Sequence, residues 1–389
     1  MLDVICVIDS RFEGGTAAAA ASDVTAFLND GQSVGLVEVR SSYIKSRSAK
    51  RSAIIDNLCQ DNRVICLPSA QRQKHRARTV FLHHPMTFYY GLDQPIQLEA
   101  DHAYLVAHHL PFRGDGSLQY DPITTTQRAR YFTGVSPMWA PVSGLCRQQL
   151  RSFSPLIRLA SQDWPNVFDV DAWQPKKETF TSDTITIGRH GRSDLLKWPE
   201  TAQAIADSLP TLPKCKIRVM GLPADDIAAM GVDTDDWTIL PFNAEPVPDF
   251  LDQLDVFVYH FHPDASESFG RTVAEAMLMG ALCILDPRLK PTFGNLAVYC
   301  DPHDTARLIE NMRHDPVGSR HFAAKTRDAI CETHRFSSVP SRLKQLNLPV
   351  PQEGVQPNRS ENPIQVMRKI IGLMRRHEFT LSDLQKMDR

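Results

Sequence analysis

The sequence lacks paired-cysteine motifs, long apolar runs and a charge excess of either sign. Its eight cysteines (Cys6, Cys59, Cys66, Cys146, Cys215, Cys283, Cys300 and Cys331) are scattered over 389 residues with no CxxC pair among them. Several lie in apolar runs, where a free cysteine is a small core residue, and a chain of this length buries sizeable cores without staples. The expectation is a reduced, cytoplasmic protein. No apolar run approaches the roughly 20 residues that span a bilayer. The longest, Ala274 to Leu285, is interrupted by Glu275. The opening Met1-Leu2-Asp3-Val4-Ile5-Cys6-Val7-Ile8 has no basic n-region and reads as a first strand rather than a signal peptide. Formal charge is −2, from 43 basic and 45 acidic residues, so the molecule as a whole is not a basic nucleic-acid binder. Glycine and proline, 19 and 27 residues, are at ordinary levels, which argues against global disorder.

What is present is a repeated grammar of short apolar runs and helix-like segments. In the first half, strands are expected at Leu2–Ile8, Ser33–Val39, Arg63–Leu67, Thr79–His83 and Tyr104–Ala107, with a helix over Ala17–Leu28. The second half predicts strands at Thr184–Gly188, Lys216–Met220, Thr238–Leu240, Val256–Tyr259 and Leu282–Leu285, with a helix over Thr201–Leu209. Strands alternating with helices predict parallel βαβ units. The fold class is therefore α/β, as two Rossmann-like domains joined at the Pro-, Asn- and Asp-rich stretch Asp163–Pro175. Ligand is expected at the carboxyl ends of the strands, in the cleft between domains. The expected division is 1–165, 166–345, and 346–389 as a linker plus a C-terminal helix. That helix, Pro363–Arg376, reads either as docked on the protein or as a basic membrane-surface helix.

The segment His262–Gly280 carries the strongest chemical signal. A loop bearing Glu267 follows the strand Val256–Tyr259, and a helix begins near Gly270 and closes at Gly280. Glu267 and Glu275, eight positions apart, offer two hydroxyl acceptors, and the N–H groups around Ser268, Phe269, Gly270 and Arg271 lie at a helix N-terminus able to meet an anion. A sugar, a diphosphate and a ribose need such groups. The Glu-x7-Glu pattern, with Phe269-Gly270 inside it, resembles the signature of retaining GT-B glycosyltransferases, in particular the "group 1" family, glycosyltransferase family 4. The resemblance implies that Glu267 binds donor-sugar hydroxyls and Glu275 the nucleotide ribose.

A second block supports it. Gly188-Arg189-His190-Gly191-Arg192, with Lys197-Trp198-Pro199-Glu200 after it, resembles the family's Gly-Arg…Lys element, which neutralises the donor diphosphate. Arg189 and Lys197 are the carried-over pair, with Arg192 competing for the second place. Charge-assisted bonds to phosphate oxygens stabilise a departing diphosphate. Lys197–Glu200 also looks like a helix start. Gly14 and Gly15 stand where the family has a glycine-rich loop near the donor phosphates. Asn166–Trp173, Val219–Gly221 and Leu240–Phe242 resemble further family elements in the same order. Among the histidines, the resemblance places His108 beside the donor sugar, with His109 as the alternative, and His83 and His84 read either as acceptor contacts or as strand caps.

The matches Asp169-Val170-Asp171 and Asp233-Thr234-Asp235 read as a joint and a polar loop, so no metal site is expected and the donor binds without metal or cofactor. Two basic stretches, Arg40/Lys45/Arg47/Lys50/Arg51 and Arg72/Lys74/Arg76/Arg78, read either as solvated loops or as a docking surface for an anionic membrane or acceptor.

The resemblance implies a metal-independent transfer of a hexose from a nucleoside-diphosphate sugar to a hydroxyl acceptor, a glycan or lipid-linked saccharide, with retention. Family frequency favours a UDP-sugar over a GDP-sugar. No general base is assigned, because the leaving phosphate can take the acceptor proton. The rivals are a sugar-nucleotide epimerase or a phosphorylase on the same fold, and a non-catalytic sugar-nucleotide-binding partner of a transferase.

Overall fold

The computed structural model describes residues 1–46, 49–69, 73–154 and 156–348, together with Ile364, Met367 and Ile371. The chain forms two compact units. Unit 1 comprises Met1–Phe112, Gly116–Phe168 and Phe336–Arg389, and unit 2 comprises Arg113–Asp115 and Asp169–Arg335.

Unit 1 holds six strands: β1 (Leu2–Asp9), β2 (Val34–Val39), β3 (Val64–Leu67), β4 (Lys74–His83), β5 (Gln97–Ala107) and β6 (Met138–Pro141). Their order is β3-β2-β1-β4-β5-β6, with every pairing parallel. Central strands of such a sheet are covered on both faces and read as continuous apolar runs. Val4 to Ile8 are accordingly fully buried. The expected helix forms over Gly15–Asn29 and packs its alanine-rich face inward. Unit 2 repeats the design with β7 (Ile185–His190), β8 (Cys215–Met220), β9 (Trp237–Leu240), β10 (Val256–Tyr259), β11 (Leu282–Leu285) and β12 (Val298–Tyr299), ordered β12-β11-β10-β7-β8-β9 and again parallel. Every residue of β10 and β11 is buried.

The contacts divide the chain at Phe168/Asp169, three residues beyond the expected 165/166 boundary. They also assign helix Val339–Asn347 to unit 1, where the sequence reading put residues up to 345 in the second domain. Three bonds explain this. The Tyr104 hydroxyl donates to the Leu346 carbonyl at 2.8 Å, the Asn347 amide to Thr79 Oγ1 at 3.1 Å, and Arg342 to the Pro165 carbonyl at 2.9 Å. Beyond residue 348, Ile364, Met367 and Ile371 are helical and exposed, and the remainder of the expected C-terminal helix lies outside the described residues. No described helix is long and apolar enough to cross a membrane.

Of the basic stretches, Arg47 and Arg72 lie outside the described residues. Arg51 pairs with Glu38 and Asp56, Lys74 and Arg76 both pair with Glu99, and Arg78 lies 3.7 Å from Asp3. Two carboxylates, Glu99 and Asp3, thus stand against the three described cations of the second stretch. All eight cysteines are unpaired thiols, with Cys6, Cys146, Cys283 and Cys300 buried.

A buried ion pair fixes the loops at the carboxyl end of β1. Arg11 grips Asp9 with two bonds, at 2.8 and 2.6 Å, and donates to the Ser41 and Ile44 carbonyls. Asp9 also accepts from the Ser41 N–H at 2.8 Å and its hydroxyl at 2.7 Å. Removing one partner of such a pair leaves an uncompensated buried charge. Arg11→Ala is therefore expected to destabilise unit 1 by about 3–5 kcal/mol, seen as a lowered denaturation midpoint, and the double variant Asp9→Asn/Arg11→Met to recover part of that loss.

Candidate functional site

In a doubly wound sheet, ligands gather at the carboxyl ends of the strands where strand order reverses. In unit 2 the reversal falls between β7 and β10, which pair side by side at Val256–Ile187 and Phe257–Gly188. The loops leaving these two strands carry Arg192, Lys197 and Glu267.

The two loops meet through a charge-assisted bond. Lys197 Nζ donates to Glu267 Oε2 at 2.7 Å, and the Tyr259 hydroxyl donates to the same oxygen at 2.8 Å. Burial works against the Lys197 charge, but the attraction of Glu267, with Tyr259 beside it, outweighs burial and holds the ammonium pKa above the ordinary lysine value. Burial, reinforced by the Glu267 charge, pushes the Tyr259 phenol up to about 12, so it stays a donor at neutral pH.

Arg189 has other partners than the diphosphate contact implied by resemblance. It is 3% exposed. Its guanidinium lies 4.2 Å from the Trp198 ring centre and 4.6 Å from that of Tyr259, and donates to the His260 carbonyl at 2.8 Å and to the Lys197 carbonyl. Burial pushes its pKa down to about 10, which leaves it charged at neutral pH. Arg189 therefore fixes the backbone of Lys197 and sets a second positive charge among the rings beneath it. Arg192 is exposed, and its charge is close enough to Lys197 to oppose protonation there.

The expected helix start at Lys197 is not formed. A short 3-10 turn, Leu195–Lys197, ends there, and Trp198 is extended at φ −118°, ψ 154°. The proline at 199 disfavours helical backbone for the residue before it. The helix proper begins at Ala202, capped by the Thr201 side chain accepting from the Ala204 N–H.

Glu267 is followed by a tight turn into helix Arg271–Leu278. Gly270 makes that turn at φ +81°, where a side chain would be strained. The helix closes as expected at Gly280, φ +76°, with the Ala281 N–H donating to the Ala276 carbonyl. Phe269, whose backbone N–H is the group expected near the anion, turns its ring into the core. It is 4% exposed and packs on Phe293 and His334, as an apolar ring does where the core offers it a seat. Ser268 stays partly exposed.

Glu275 lies one turn along this helix, buried against Arg271 Nε at 3.0 Å, with His190 Nε2 3.6 Å away. Burial raises its carboxyl pKa to about 7, with Arg271 opposing. Burial, reinforced by Arg189, lowers the His190 imidazole to about 4, so it is neutral.

The sequence reading missed Arg288. It chelates Asp286 at 2.9 and 2.7 Å, donates to the carbonyls of Phe261, His262, Pro263 and Ala265, and lies 3.9 Å over the Phe261 ring. It pins the loop that ends in Glu267. Nothing in its local sequence marks it. Tyr259 did carry a signal, as the last residue of a strand whose carboxyl end feeds the loop.

The remaining candidates belong to unit 1. Gly14 and Gly15 are exposed at the start of helix Gly15–Asn29, with open space where a side chain would stand. His108 is buried, and its Nε2 lies 3.0 Å from His83 Nδ1. Burial lowers its pKa to about 3, and those of His83 and His84 well below the usual value. Among the described residues no group of three or more His, Cys, Asp or Glu side chains is arranged to hold a metal ion. Asp233 accepts from the Asp235 N–H in a local turn.

No protein-family profile matches the chain, and no curated protein matches it in sequence. Its structure is similar to known ones. The Anabaena protein Alr3699/HepE, solved with UDP and glucose, superposes with a TM-score of 0.61 at 12% identity, covering 89% of this chain and 99% of that one. A glycosyltransferase from Rickettsia africae gives 0.60 at 11% identity, over 89% and 97%. The catalytic domain of starch synthase IV from Arabidopsis thaliana, bound to ADP and acarbose, gives 0.56 at 13% identity, over 89% and 98%. The fold is that of the GT-B glycosyltransferases: two parallel six-stranded sheets with helices.

The raised Glu275 pKa has a consequence for stability. Folding disfavours the ionised carboxylate, so the group's contribution is full below its ordinary pKa of 4.5 and is lost as pH rises through about 7. Glu275→Gln is expected to flatten the pH dependence of unit-2 stability across that window, measured by denaturation midpoints at several pH values. Carboxyl-region infrared spectra should show the wild-type group titrating near 7.

Proposed function

We propose that the protein transfers a hexose from a nucleoside-diphosphate sugar, a UDP-sugar in the first instance, to a hydroxyl acceptor with retention at the anomeric carbon. The observation that carries this reading is the Lys197–Glu267–Tyr259 cluster at the strand-order reversal of unit 2, a cation and a carboxylate held side by side over a buried arginine. The fold shared with sugar-nucleotide-dependent transferases supports it.

In this reading Lys197 supplies the cation for the leaving diphosphate, and Arg189 adds buried positive charge while holding the Lys197 backbone. Preorganised charge of this kind acts where negative charge develops and needs no reorganisation during reaction. Glu267 accepts from sugar hydroxyls, and Glu275 from the ribose. Because the Glu275 pKa is about 7, ribose binding favours the ionised form and strengthens as pH rises to that value. Arg192 is available to the outer phosphate.

The bond between the anomeric carbon and the diphosphate oxygen breaks with its electron pair on that oxygen. The acceptor oxygen bonds to the same face of the carbon, and its proton passes to the departing phosphate. No metal ion or cofactor is assigned a part. The acceptor is a glycan or a lipid-linked saccharide, and work at the inner membrane face is compatible with this chemistry.

Acceptor-independent hydrolysis of UDP-glucose tests the assignment. Lys197→Ala is expected to lower turnover about 10²- to 10³-fold with the fold intact by circular dichroism, and Glu267→Gln to raise KM as well. Unchanged turnover in Lys197→Ala would remove the assignment. Complete absence of hydrolysis alongside tight nucleotide binding would point to a binding partner of a transferase.

A further inference from the structure

Two of the cysteines meet in unit 1. Cys59 is the last residue of helix Ala53–Cys59, and Cys66 lies in β3, an edge strand of the sheet. The segment between them folds back tightly. The Gln60 N–H donates to the Asn57 carbonyl at 3.1 Å, the Asp61 N–H to the Leu58 carbonyl at 3.2 Å, and the Val64 N–H to the Asp61 carbonyl at 2.9 Å. Arg63 chelates Asp61 at 3.0 and 2.7 Å.

Side chains alternate between the two faces of a strand. Cys66 pairs with Leu36, so it shares a face with Leu36 and with Glu38, two residues further along β2. Helix Ala53–Cys59 is tied over that same face. Arg51, just before the helix, chelates Glu38 at 2.8 and 2.6 Å and bonds Asp56 at 3.0 Å. Asp56 and Cys59 are three positions apart and so lie on one side of the helix. The two thiols are thereby delivered to one place, and they act on each other. Burial first, and then the neighbouring Cys66 thiol, pushes the Cys59 pKa up to about 12. Cys59 is partly buried and Cys66 exposed.

We propose that Cys59 and Cys66 are a modification site, a thiol pair that closes to a reversible disulfide in the folded chain when it meets a small disulfide such as glutathione disulfide. The exposed Cys66 thiolate attacks one sulfur of the oxidant and displaces one glutathione. Cys59 then loses its proton, and its sulfur attacks the Cys66 sulfur of the mixed disulfide and displaces the second glutathione. Two protein thiols are oxidised and one glutathione disulfide is reduced, and the two thiol protons end on the two glutathione molecules. Burial slows the ionisation of Cys59, but its position makes the second step intramolecular. The bond joins the helix end to the edge strand and closes a short loop, which restricts the unfolded chain more than the folded one. A soft metal ion is a poorer occupant, because among the described residues no third His, Cys, Asp or Glu side chain completes a metal site. The site stands apart from the transferase reading.

Arg63 lies between the two cysteines, so trypsin separates them into peptides 52–63 and 64–72, which stay joined only through the disulfide. Peptide mapping without reductant, after the full chain has met glutathione disulfide and its remaining thiols have been alkylated, tests the site. The joined pair is expected in the wild type, and its loss on treatment with dithiothreitol. Cys59→Ser is expected to hold glutathione on Cys66 instead. The oxidised wild type, with unchanged circular dichroism, is expected to melt about 2–8 °C above the reduced chain, and the same treatment should leave the midpoint of Cys66→Ser unmoved. A stable glutathione adduct on wild-type Cys66 without joined peptides would overturn the proposal, as would joining of either cysteine to a third, or retention of both thiols. A lowered midpoint on oxidation would overturn it as well, since the bond would then form only at the expense of the fold.

Discussion

One bond, that between Lys197 and Glu267, organises the candidate site of unit 2. Each residue sits on a loop leaving a different strand, and the bond ties the two loops together at the point where strand order reverses. Both charges are largely withdrawn from water, so each is costly without the other. Tyr259 completes the carboxylate's bonding, and Arg189, sandwiched between Trp198 and Tyr259, fixes the Lys197 carbonyl from below. Arg288 does the corresponding service for the loop that delivers Glu267. The charged pair is held by rings and carbonyls, and so stands ready before any ligand arrives.

Unit 1 solves a similar problem with different residues. Its sheet also reverses order, between β1 and β4, and its loops are also fixed by a buried ion pair, Asp9 with Arg11. The cluster built on that pair is aromatic and neutral: burial keeps His83, His84 and His108 uncharged. Unit 2 thus gathers charge at its reversal point, and unit 1 gathers rings and neutral imidazoles.

Most strands were legible because a parallel sheet demands continuous apolar runs. Val256–Tyr259 and Leu282–Leu285 were read to the residue. β6 and β12, short edge strands at Met138–Pro141 and Val298–Tyr299, were missed although each lies in an apolar run of five residues, Met138 to Val142 and Leu296 to Cys300. Glu267 and Glu275 stood out by their spacing around a helix start, and Lys197 by its resemblance to a family element. Tyr259, Trp198 and Arg288 were not identified as site residues, since their roles arise only when distant loops fold together. Phe269 lies within the motif, yet its apolar ring takes a core seat, and Arg189 spends its donors on backbone carbonyls. Motif position could not say which way either side chain would turn.

We propose that unit 2 holds a nucleoside diphosphate through Lys197 without a metal. Thermal stabilisation by UDP, GDP and ADP, with EDTA present, tests it most directly, because a ligand that binds only the folded state raises its stability by mass action. The account predicts stabilisation by at least one of the three, UDP foremost, and its loss in Lys197→Ala. No stabilisation by any of them, or stabilisation undiminished in Lys197→Ala, would contradict it.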